Sequence, residues 1–140
     1  MNIKVEPFKN NIGASISYDL KLTEPKIIDQ IKETLNNYGF VCFRDQNLEP
    51  GEYLKFAEQL GKIKEYPMLK DLENYKGITV VERNEDDKGK SYGEGWHTDS
   101  SYLEKTHGIS FTNFVAIFSD SNNSKQKIIA YYRDIYFSSY

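Results

Sequence analysis

Apolar positions along the first sixty residues change period several times, and each change predicts an element. In NIKVEPF (2–8), Ile3 and Val5 alternate with polar neighbours until Pro7, which predicts a short strand stopped by proline. Asn10, Asn11 and Gly13 supply a turn, and ASISYDL alternates again through Ile16, Tyr18 and Leu20. The pair predicts a hairpin or two edge strands. From Thr23 the period becomes helical, with Ile27, Ile28, Ile31 and Leu35 on one stripe. Thr23 is the expected N-cap, Glu24 and Pro25 suit the first turn, and Gly39 the stop. FVCF is an apolar run too short for a helix and predicts a buried strand. A second helix opens at Glu49-Pro50-Gly51-Glu52, lines one side with Tyr53, Phe56, Ala57 and Leu60, and closes at Gly61.

Beyond that point the pattern weakens. GITVV (77–81) predicts another strand, and ERNEDDKGKSYGEG a polar loop leading into WHTDSSYL. After Lys105 the chain carries no proline and a single glycine, with apolar bursts (FVAIF, KIIAYY, DIYF) set between serines and asparagines. Strands fit there, although FVAIF does not alternate cleanly. Two helices with several β segments predict a mixed α+β fold built around a sheet or sandwich.

Composition narrows the function. Apolar residues make up 39%, aromatics 14% and charged residues 28% of 140 residues, a globular profile with enough mass for one core. A net charge of −3 and dispersed lysines exclude a concentrated basic surface, so no nucleic-acid partner is expected. No window approaches the roughly 18 apolar residues of a membrane span, and the N-terminus has no apolar signal region. Cys42 is the only cysteine, which rules out an internal disulfide and fits a reducing, cytoplasmic setting.

The candidate chemistry lies in GEGWHTDSSYLEK (93–105). On a strand, residues i and i+2 share a face, so His97 and Asp99 would present an imidazole nitrogen and a carboxylate oxygen side by side. With one more histidine, such a pair forms the facial triad of non-haem Fe(II) oxygenases. As a bare spacing it also fits a surface histidine beside an acid. A zinc hydrolase is disfavoured, since no H-E-x-x-H helix is present.

The surroundings decide between these readings. GWHTDSSYLEK, preceded by VVERNEDDKGKSYGE, resembles the metal-binding stretch of the TauD/TfdA family of Fe(II)- and 2-oxoglutarate-dependent dioxygenases, whose W-H-[ST]-D block is followed by E-x-P-P. IGASISYDL, NNYGFVCFRDQ and LEPGEYLKFAEQLGKI follow the family's opening in order. The resemblance covers residues 2 to about 105. It implies a partial double-stranded β-helix (jelly-roll) with flanking helices, iron and 2-oxoglutarate as cofactor and cosubstrate, and His97 and Asp99 as metal ligands. The implied reaction is hydroxylation of a small organic substrate, with 2-oxoglutarate decarboxylated to succinate.

Further roles attach to single residues. Trp96 is expected to pack beside the ligands, with substrate contact as the other reading. Tyr66, in KEYPML, lies where the family contributes a substrate-facing loop. Gly93 and Gly95 are expected to turn the backbone into the ligand strand, and EDDKGK (85–90) to be a solvated loop.

The family's second iron histidine, its 2-oxoglutarate arginine and its Gly-Gly-Asp-Thr stretch are absent from the sequence. The other histidine, His107, stands where the family's prolines belong, and Arg133 has no family context. The expectation is therefore residues 1–105 as the N-terminal part of a dioxygenase domain and 106–140 as a divergent or frame-shifted tail, weakly active or inactive as it stands. The rival expectation is a non-catalytic fragment or a metal- or partner-binding β protein that pairs with a second copy as a homo-oligomer.

Overall fold

The computed structural model describes residues 2–63, 70–83, 88–90, 95–96, 104, 108–119 and 126–136. They form an α+β structure that divides into two compact units, residues 1–52 and 53–140.

In the first unit, β1 (Lys4–Pro7) pairs antiparallel with β2 (Ala14–Ser17), and β2 pairs in parallel with β3 (Val41–Phe43). The turn between β1 and β2 uses Asn10 and Asn11 at positive φ, which asparagine tolerates better than most residues. Gly13 follows at φ +79, and a Cβ there would fall 2.2 Å from the Phe40 ring. Only glycine fits beneath that ring without strain.

The helix α1 (Pro25–Tyr38) joins β2 to β3 and packs on both. Its buried stripe is Ile27, Ile28, Ile31 and Thr34, with the Thr34 hydroxyl donating to the Gln30 carbonyl at 2.7 Å. Leu35, expected on that stripe, is only half-buried. The helix starts one residue later than the sequence predicts. Glu24 is its N-cap residue, while the Thr23 hydroxyl donates to the Leu20 carbonyl at 2.5 Å. Pro25 explains the shift, because its fixed φ and missing N–H suit the first helical position. Gly39 ends the helix as expected, its N–H donating to the Leu35 carbonyl at 2.8 Å.

Two further expectations are corrected. The strand in ASISYDL stops at Ser17, because the Asp19 carboxylate accepts from the Lys21 N–H and sets up a 3-10 turn over Leu20–Leu22. The FVCF strand is real but half-buried, and Phe40 is 48% exposed, since β3 is the last strand of its three-stranded sheet.

The helix α2 (Pro50–Leu60) buries the four predicted residues, Tyr53, Phe56, Ala57 and Leu60. At its start the Glu49 N–H donates to the Glu52 carboxylate at 2.9 Å, the reach-back half of a capping box. Glu52 also holds Lys21 at 3.0 Å. The backbone donor first, and Lys21 second, keep the Glu52 carboxyl below its ordinary range. A depressed folded-state pKa contributes stability that is present at neutral pH and lost as pH falls through that pKa. The stability gap between the parent chain and Glu52→Gln should therefore be present at pH 7 and close below the usual carboxylate range, as read from denaturant midpoints across pH. Both side chains are partly open to solvent, so high salt should narrow the gap.

The second unit holds β4 (Lys62–Ile63), β5 (Asp71–Leu72), β6 (Tyr75–Arg83), β7 (Ile109–Ser119) and β8 (Gln126–Tyr136) in one sheet. β5 and β6 form a tight hairpin across Glu73 and Asn74, with Asn74 at φ +68. β8 organises the sheet. Along one edge it pairs antiparallel with β7, and along the other with β6 over Ile128–Tyr132 and with β4 at Ile135 and Tyr136. FVAIF thus belongs to a single 11-residue strand. The register shifts between Phe114 and Ala116, a bulge at Val115 that accounts for the broken alternation.

Candidate functional site

β6 and β7 both run antiparallel to β8, and therefore parallel to each other. β6 ends with Arg83 opposite Ile128, whereas β7 begins with Ile109 opposite Ile135. The connection from one end of β8 to the other carries GEGWHTDSS. His97 and Asp99 lie in it, outside the described residues, as do Gly93 and His107; Tyr66, between β4 and β5, also lies outside them.

The described parts of the connection are residues 88–90, 95–96, 104 and 108. Lys88, Gly89 and Lys90 are exposed, in keeping with a solvated loop. Gly95 has φ +103, a left-handed backbone that favours glycine, immediately before Trp96. Trp96 is fully exposed, and the residues it was expected to pack beside lie outside the described ones. Arg133 lies on β8 opposite Phe111, in the interior of the sheet pairing rather than in a loop.

The donor chemistry of His97 and Asp99 fits a ferrous ion. Imidazole is a borderline ligand that suits iron, and a carboxylate offsets part of the cation's charge. Among the described residues no group of three His, Cys, Asp or Glu side chains comes together to hold a metal.

A groove of about 780 Å³ opens in the first unit, lined by residues including Ser15, Ser17, Asp19, Lys21, Arg44 and Asn47. No motif in the sequence announces it, because its lining comes from separate segments that the parallel pairing of β2 and β3 brings together. Gln46 is part of the lining. Its Oε1 accepts from the Leu20 N–H at 3.0 Å, and its Nε2 donates to the Tyr18 carbonyl at 3.0 Å and the Arg44 carbonyl at 2.8 Å. Gln46→Ala would strand the part-buried Leu20 N–H and Tyr18 carbonyl and should cost about 1–3 kcal/mol. Chemical denaturation of the variant checks this.

Comparison with known proteins supplies the wider context. The family model described as "Taurine catabolism dioxygenase TauD, TfdA family" matches residues 4–112, a span that includes His97 and Asp99. Among solved structures, the chain is similar to a proposed alpha-ketoglutarate-dependent taurine dioxygenase from Burkholderia xenovorans, with 25% identity and a TM-score of 0.70 over 85% of this chain and 42% of that one. A taurine dioxygenase from the same organism gives 25% identity and a TM-score of 0.66, over 84% of this chain and 42% of that one. AAD-2, solved in complex with Mn(II) and N-oxalylglycine, shares the fold at a TM-score of 0.71 and 18% identity, over 84% of this chain and 47% of that one. The chain spans less than half the length of these solved proteins. With most of its residues inside the family match and its fold shared with dioxygenases of that kind, this chain belongs to the TauD/TfdA dioxygenase family.

Proposed function

We propose that these residues carry the first part of the catalytic domain of an Fe(II)- and 2-oxoglutarate-dependent dioxygenase, with a jelly-roll core and with His97 and Asp99 as two of its iron ligands. The observation that carries this reading is the His-Thr-Asp triplet at 97–99, inside the family match at 4–112. When bound, iron with 2-oxoglutarate supplies the activation of dioxygen for hydroxylating a C–H bond of a small organic substrate.

The chain's own residues have simpler tasks. His97 lends a nitrogen lone pair, and Asp99 lends a negative charge that favours a divalent cation. Trp96, with its indole open to solvent, is offered as a contact for substrate, and Tyr66 as another. Cys42 is a free thiol, which supports a reducing compartment such as the cytoplasm. Among the described residues no helix is long and apolar enough to cross a membrane.

The third ligand and the arginine for 2-oxoglutarate find no family context in this sequence. The 140 residues by themselves should therefore bind iron weakly and turn over little or nothing. Ferrous titration of the purified chain, with and without 2-oxoglutarate, tests the reading. The expected result is weak iron binding with no metal-to-ligand charge-transfer band and no succinate release. A full band with succinate release would show that the site is complete within this chain. Dimerisation independent of iron, with no iron binding at all, would favour a partner-binding β protein instead.

A further inference from the structure

We draw no further inference here: the strongest candidate, the polar groove of the first unit lined by Ser15, Ser17, Asp19, Lys21, Arg44 and Asn47, mixes both signs of charge with its Lys21 already held by Glu52, and nothing in the structure shows what would occupy it.

Discussion

Alanine at position 97 or at position 99 is expected to weaken ferrous-iron binding by at least about 100-fold. The magnitude follows from a comparison. Losing a residue that merely orients a ligand typically costs about 10–100-fold in metal affinity, and losing the ligand itself should cost more. The penalty is steeper where few donors are present, because each remaining group carries a larger share of the binding. Asp99→Asn separates two contributions. It keeps an oxygen donor of similar shape but removes the charge that favours a divalent cation, so its affinity should fall between the parent and Asp99→Ala. Lys88→Ala changes an exposed residue of the same connection and should leave the titration unmoved. Calorimetric titration with Fe(II) under anaerobic conditions reads all four variants. Parent-like binding by His97→Ala would remove that residue from the site.

The elements of the first unit were legible because their burial is one-sided. A helix packed on one face of a small sheet must place apolar residues at helical spacing, and Ile27, Ile28 and Ile31 do so. In α2, Tyr53, Phe56, Ala57 and Leu60 also fall at helical spacing and are buried. Misreadings arose where local hydrogen bonding competes with periodicity. Asp19 diverts the chain from a strand into a turn, and the Thr23 hydroxyl is taken up by Leu20. The β5–β6 hairpin leaves no periodic signal, because a two-residue strand has no period to detect.

The β7 strand shows a different limit. Its bulge at Val115 interrupts alternation, so one long strand reads as a short apolar burst. The family match ends at residue 112, inside that same strand. The candidate site was legible only as chemistry. Identity and spacing of His97 and Asp99 are written in the sequence, but their partners depend on long-range topology, which no local pattern encodes.

Ile31→Ala should cost the first unit about 2–5 kcal/mol of stability. Ile31 is 1% exposed and sits in the middle of the buried stripe of α1, which packs on β2 and β3. Truncating it removes the transfer free energy of three carbon groups and leaves a cavity that a helix anchored at Pro25 and Gly39 can close only in part. The loss is large against the whole. Small domains are stable by only about 5–15 kcal/mol, and a unit of this size buries a modest share of its surface. Ile31→Val, which removes one methyl group, should cost about 0.5–1.5 kcal/mol. Asn36→Ala, on the exposed side of the same helix, should stay within about 0.5 kcal/mol. Denaturant unfolding followed by helical circular dichroism orders the three. Equal midpoints for Ile31→Ala and Asn36→Ala would mean that α1 does not bury its isoleucine stripe against the sheet, and the packing that defines the first unit would be wrong.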